Sequence, residues 1–191
     1  MKRLFIAIHV PCNEGITDLL ERLRRQLIHE RINWSKPENL HLTLKFLGET
    51  SDESIPGILK EVSLAVEKVA PFGLVFDRTG IFGSRYDPRI IWVGNHLDAQ
   101  QPVAALANQV LDACARAGFE RDRQNFVPHL TLGRIKNINN KPYFQQVMAA
   151  LPQKLFQEMM VDKLILFESI LRKEGPIYVP LQQIEFKGKM A

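Results

Sequence analysis

The chain has 191 residues, 46% of them hydrophobic and 24% charged, which fits one compact domain and excludes a disordered or low-complexity protein. The formal net charge of +4 is a modest excess that attracts polyanions weakly and identifies no partner; its densest cluster, Arg22, Arg24 and Arg25 beside Glu21, reads as a solvated helix face. Cys12 and Cys114 lie far apart and form no Cys-x-x-Cys pair, which excludes a disulfide framework or zinc knuckle and fits two reduced thiols in a cytoplasmic protein.

Met1-Lys2-Arg3 before Leu4–Ile8 has the charge-then-apolar form of a signal peptide, but the apolar run stops at His9, too short for the core of such a signal. It predicts a buried strand over 3–9 in a chain that is not exported. No apolar run approaches the roughly 18–20 residues needed to cross a bilayer. Ile16, Leu19, Leu20, Leu23 and Leu27 recur at helical spacing. Pro37 punctuates the chain before a strand at 39–47. Ser51 is a candidate cap for a helix whose apolar stripe is Ile55, Leu59, Val62, Val66 and Val69, with Pro56 tolerable in its first turn.

Runs at 73–82 and 89–94 predict strands joined by a hairpin loop at 83–88. Pro102 opens a helix that buries Val103, Leu106, Val110 and Cys114 and stops at Gly118. A strand at 128–135, a short helix at 142–150 and strands at 159–168 and 176–186 complete the chain. The order is βαβαββαβαββ, and the two halves repeat one pattern. Hairpin-like neighbours predict antiparallel or mixed sheets with helices on one face, an α+β fold. No Pro/Gly/Ser-rich linker divides the halves, so residues 1–191 are expected to form one domain of two packed lobes.

Each half carries the same tetrapeptide, His41-Leu42-Thr43-Leu44 and His129-Leu130-Thr131-Leu132. With five His and five Thr in the chain, random placement gives roughly 0.1 His-x-Thr pairs, and two are present at matched places. On a strand, residues i and i+2 share a face. His41 and Thr43 therefore face away from Leu42, Leu44 and Phe46, and His129 and Thr131 away from Leu130 and Leu132. If approximate two-fold symmetry relates the lobes, the two His-x-Thr faces meet across a groove. One imidazole can take a proton from an attacking oxygen while the other gives one to a leaving oxygen on the same phosphate. The Thr hydroxyls, with a cation, suit charge developing on the non-bridging oxygens. A zinc site is the rival reading, but two histidines supply only two ligands.

At these residues the chain resembles the 2H phosphoesterases, and more closely the RNA 2′,3′-cyclic phosphodiesterases once called 2′-5′ RNA ligases. The likeness extends over nearly the whole chain: Arg3–Ile8, Trp34–Glu49, Ile91–Gly94, Phe126–Arg134, and Glu168-Ser169 with Gly175 and Tyr178. It implies two antiparallel sheets, with helices outside, around a central cleft. It implies hydrolysis of a terminal RNA 2′,3′-cyclic phosphate to a 2′-phosphomonoester without metal or cofactor. By that analogy His41 protonates the departing 3′ oxygen, His129 activates water, and Thr43, Thr131 and Arg134 hold the phosphate. The expected partner is RNA or an oligonucleotide with a cyclic-phosphate end, the expected state a cytoplasmic monomer away from membranes.

Two alternatives stay open: 2′-5′ ligation by the reverse chemistry, and a nucleotide- or RNA-binding module without turnover. Simple alternation points Arg134, five residues after His129, to the leucine side, so it reaches the phosphate only if the strand twists, bulges or ends near Gly133. Lys45 falls on the His41 face by the same count, and Phe46 in the core. Tyr178 either lines the cleft or packs on the C-terminal sheet. His9, His29 and His96 show no partner pattern, and Trp34 and Trp92 read as packing residues.

Overall fold

The computed structural model describes residues 1–96, 101–122, 126–173 and 175–189. In chain order the elements are β1 (Lys2–His9), α1 (Glu14–Gln26), β2 (Arg31–Trp34), β3 (His41–Thr50), α2 (Ile55–Val66), β4 (Phe72–Phe76), β5 (Arg78–Gly83), β6 (Pro88–Gly94), α3 (Gln101–Arg116), β7 (His129–Asn137), α4 (Lys141–Ala149), β8 (Gln157–Val161), β9 (Lys163–Arg172) and β10 (Gly175–Glu185). The fold is α+β, with a large, wholly antiparallel sheet and four helices among the described residues. None of these helices is long and apolar enough to cross a membrane.

Three departures from the expected element order have local causes. The run at 73–82 is two strands, because β4 pairs with β8 while β5 pairs with β6. The run at 159–168 breaks likewise into β8, on β4, and β9, on β1. The short strand β2 was not expected; its four residues hold only through pairing with β7. Ser51 caps no helix N–H: its hydroxyl meets that of Ser54 at 2.9 Å, and a 3-10 turn at Asp52–Ser54 leads into α2. Gly118 ends the α3 region as expected, at φ 92°, which is inexpensive only for glycine.

The large sheet runs β10-β9-β1-β3-β7-β6-β5, with β2 also on β7. Its two halves meet where Leu42 of β3 pairs with Leu130 of β7, the one register pair between those strands among the described residues. Past that pair β3 leaves β7, and β2 takes its place along the same edge, Trp34 opposite Gly133. Each half-sheet also takes strands from both halves of the sequence. β9 and β10 extend β1 and β3, and β5 from the N-terminal half extends β6 and β7. The apolar stripes of all four helices and the leucines of both tetrapeptides form one core on a single face of the sheet. The opposite face holds the histidines and a smaller cluster of Phe5, Ala7, Ile165 and Phe167 with Tyr178 packed against it.

Candidate active site

Buried Leu42, Leu44, Leu130 and Leu132 alternate with half-buried His41, Thr43, His129 and Thr131. Residues directly opposite in an antiparallel pair share a face. The Leu42–Leu130 pair therefore turns both leucines to the core and brings all four His and Thr side chains to the other face. Among the described residues neither threonine hydroxyl has a hydrogen-bond partner, so both are available to a ligand.

Both imidazoles are held in the same way. His41 Nδ1 lies 2.7 Å from the carbonyl oxygen of Asn39, and His129 Nδ1 lies 2.7 Å from that of Val127. A carbonyl can only accept, so Nδ1 carries the proton and donates, leaving Nε2 as the basic nitrogen of each neutral ring. Asn39 is itself fixed: its backbone N–H donates to the Lys36 carbonyl, and its side-chain amide donates to the Pro176 carbonyl on β10 at 3.0 Å.

Burial pushes His41 down to about 4 from an ordinary 6.5. The Asn39 carbonyl opposes this, and the charges of Arg134, His129 and His9 add to it. His129 is lowered by burial and by Arg134, against the pull of the Val127 carbonyl. Both rings are therefore neutral in the free protein at pH 7, and they share an electrostatic environment with one guanidinium. Their apolar beds are aromatic. Phe5 and Tyr178 each have ring centroids 4.9 Å from that of His41, Tyr178 edge-on, and Phe82 meets His129 edge-on at 4.7 Å. Tyr178 thus lines the site, its hydroxyl pushed up by burial.

Arg134 reaches this face because β7 bulges. Trp92 of β6 pairs with Thr131 and Ile91 with Gly133, so Leu132 has no partner. Leu132 and Gly133 are consecutive buried residues, and the alternation resumes in the opposite phase with Arg134 exposed. Its charge depresses His41, His129 and the Tyr178 hydroxyl's upward shift alike.

β3 bulges at the matching place. Ala7 pairs with Thr43 and Ile6 with Lys45, leaving Leu44 unmatched. This reverses two expectations drawn from simple alternation. Lys45 turns to the core side, 4% exposed, where its ammonium donates to Glu120 O and Asp122 Oδ1 at 2.6 Å each. Phe46 turns out of the core, 57% exposed, with its ring centroid 6.0 Å from that of Phe5. Phe46 and Arg134 are thus equivalent positions, each five residues after its histidine, carrying a ring in one half and a cation in the other. An open groove of about 400 Å³, lined by Lys45, Phe46, Leu47 and residues 119–122, adjoins Phe46.

Sequence reasoning missed the carbonyls of Asn39 and Val127, the rings of Phe5 and Phe82, and His9, which pairs with His41 across β1 and β3. Only the two-residue offset before each histidine could have signalled the carbonyls. His96 is exposed and pairs with Asp77 at 2.7 Å, as expected of a surface histidine. Trp34 packs against the core. Among the described residues no three His, Cys, Asp or Glu side chains are grouped to hold a metal ion.

A model of the LigT-like phosphoesterase family matches residues 6–92 and 97–178, and each segment contains one of the two histidines. The chain belongs to this family. The LigT-like phosphoesterase is 34% identical over 184 residues to a protein of Archaeoglobus fulgidus named RNA 2′,3′-cyclic phosphodiesterase, covering 96% of this chain and 99% of that one. Among solved structures it is similar to TT0787 of Thermus thermophilus, with a TM-score of 0.76 and 26% identity over 98% of this chain and 100% of that one. It is similar also to E. coli LigT complexed with 3′-AMP, with a TM-score of 0.70 and 26% identity over 97% and 98%.

Proposed function

We propose that this LigT-like phosphoesterase hydrolyses the terminal 2′,3′-cyclic phosphate of an RNA to a 2′-phosphomonoester, with His41 and His129 acting on one phosphate and no metal or cofactor. The observation that carries this is the matched anchoring of the two rings. Each donates Nδ1–H to the carbonyl two residues before it, so each turns Nε2 to its ligand side. The Archaeoglobus relative is named an RNA 2′,3′-cyclic phosphodiesterase, which supports the cyclic-phosphate part of this reading.

Following the family resemblance, His129 Nε2 takes a proton from water as the water oxygen bonds to phosphorus. The bond from phosphorus to O3′ breaks, and His41, protonated at Nε2, gives its proton to O3′. The product carries a 2′-phosphate and a 3′-hydroxyl. Thr43 and Thr131 donate hydrogen bonds to the non-bridging oxygens, and the Arg134 guanidinium offers them a fork of N–H donors. His41 is neutral in the free protein, so the anionic phosphate itself must raise its affinity for the proton. The acting unit is a cytoplasmic monomer, and its partner an RNA or oligonucleotide end.

The test is incubation with an oligonucleotide ending in a 2′,3′-cyclic phosphate, in EDTA, with identification of the product isomer. A 2′-phosphate in EDTA, lost on His41→Ala or His129→Ala by several orders of magnitude while the melting temperature holds, is expected. A 3′-phosphate product breaks the assignment of the leaving oxygen. Loss of activity in EDTA returns the reaction to a metal. Tight binding without turnover makes the protein a binding module.

A further inference from the structure

The carbonyls that orient the two imidazoles are held differently. Asn39 ends the 3-10 turn Pro37–Asn39, and its side-chain amide donates to the Pro176 carbonyl of β10, 137 positions away. Its counterpart before His129 is Val127, whose apolar side chain can make no such bond. β10 also brings the Tyr178 ring edge-on to His41, and Phe5 packs against both rings.

In a flat sheet neither contact could form. β1 and β9 lie between β3 and β10, so β3 and β10 would stand about 14 Å apart. Along the strands the mismatch is as large. His41 lies opposite His9, whereas Tyr178 lies opposite Ser169, whose neighbour Glu168 lies opposite Leu4, five residues from His9. Five residues of strand span about 16 Å. The paired ends of β9 and β10 therefore curl over the histidine face, and Pro176 and Tyr178 come down on the His41 half of the site. This strap covers the imidazole with aromatic rings, in keeping with the burial that pushes His41 down.

We propose that Asn39 is a positioning residue for the acid: by gripping the curled end of β10 it fixes both the carbonyl that orients His41 and the Tyr178 ring beside it. The proposal rests on the reading of His41 as the general acid and names what holds that acid in place.

The experiment is Asn39→Ala, read by NMR titration of both histidines in the free protein and by kcat and KM on adenosine 2′,3′-cyclic phosphate. The charged and titratable groups around His41, namely His9, His129, Arg134 and Tyr178, are all kept. Release of the strap lets water reach the imidazole, so His41 should titrate higher by about 1 or more while His129 stays within about 0.3 of its natural value. The kcat should fall about tenfold or more with KM within about twofold, because the orientation of the acid counts in the transition state. An unmoved His41, two histidines that move alike, or an unchanged kcat overturns the assignment. Should Asn39→Ala not fold, Asn39→Ser, whose hydroxyl falls short of the Pro176 carbonyl, is read by the same criteria. If the natural protein does not hydrolyse the cyclic phosphate, the reading of His41 as an acid fails, and the titration alone decides whether Asn39 holds that ring.

Discussion

Burial and the nearby Arg134 charge keep His41 and His129 neutral in the free protein at pH 7. Depression of both rings predicts that kcat/KM, which reports the free protein, declines as pH rises through a value below 6.5. In the proposed complex an anionic phosphate would raise both rings, so the decline of kcat should lie at higher pH. Proton titration of His41 followed by NMR should give about 4 in the free protein, moving up when inorganic phosphate binds. A free-protein value at or above 6.5 would refute the desolvated site. The same depression bears on stability. Between about pH 6.5 and 4 the unfolded chain binds a proton that the folded His41 site excludes, so stability falls as pH falls, by roughly 3 kcal/mol across that window. His41→Ala should flatten this part of the curve in urea melts. Arg134 bears on both rings, and Arg134→Ala should raise the pKa of each while lowering kcat/KM on the order of a hundredfold. Unshifted histidines together with full activity would remove Arg134 from the site.

The paired bulges turn β3 and β7 from ordinary amphipathic strands into site-bearing ones. Each inserts one leucine, Leu44 or Leu132, and brings the fifth residue after the histidine to the histidine's face. The glycine after the second bulge has a packing duty. A Cβ at Gly133 would stand 2.8 Å from Ile32 Cγ2 and 2.8 Å from Trp34 Cε3, both in the β2–β7 contact. Gly133→Ala should therefore destabilise the protein by roughly 1–3 kcal/mol, measured by chemical denaturation, and should loosen β2 from β7 in hydrogen exchange. An unchanged midpoint would mean that β2 moves aside without cost. These bulges also explain where sequence reasoning failed. The two-residue alternation correctly placed His41, Thr43, His129, Thr131 and the four leucines. It misplaced Lys45 and Phe46, which follow an inserted residue; for Arg134 the sequence named a bulge near Gly133 as one way it could reach the histidine face, and β7 does bulge there.

Across the molecule the two sequence halves are interleaved rather than laid side by side. β9 and β10 complete the sheet begun by β1 and β3, and β5 completes that of β6 and β7. β4 and β8, one from each half, pair with each other. Neither half can satisfy its strand edges alone, so separate fragments 1–95 and 96–191 are expected to lack stable structure, and the intact chain to unfold in one transition. Circular dichroism and proteolysis of the two fragments check this. A folded fragment would show that the halves are independent.

The sequence by itself determined what depends on near neighbours: the strand and helix periods, the repeated His-x-Thr pairs and the face each histidine takes, because alternation and helical spacing are properties of a few adjacent residues. Only the tertiary structure decided which strands join, where β3 and β7 bulge, and what lies against each imidazole. Those outcomes depend on residues tens of positions away, such as Tyr178 beside His41 or Phe82 beside His129. Their contacts form only once distant strands share one sheet, and no local pattern carries that pairing.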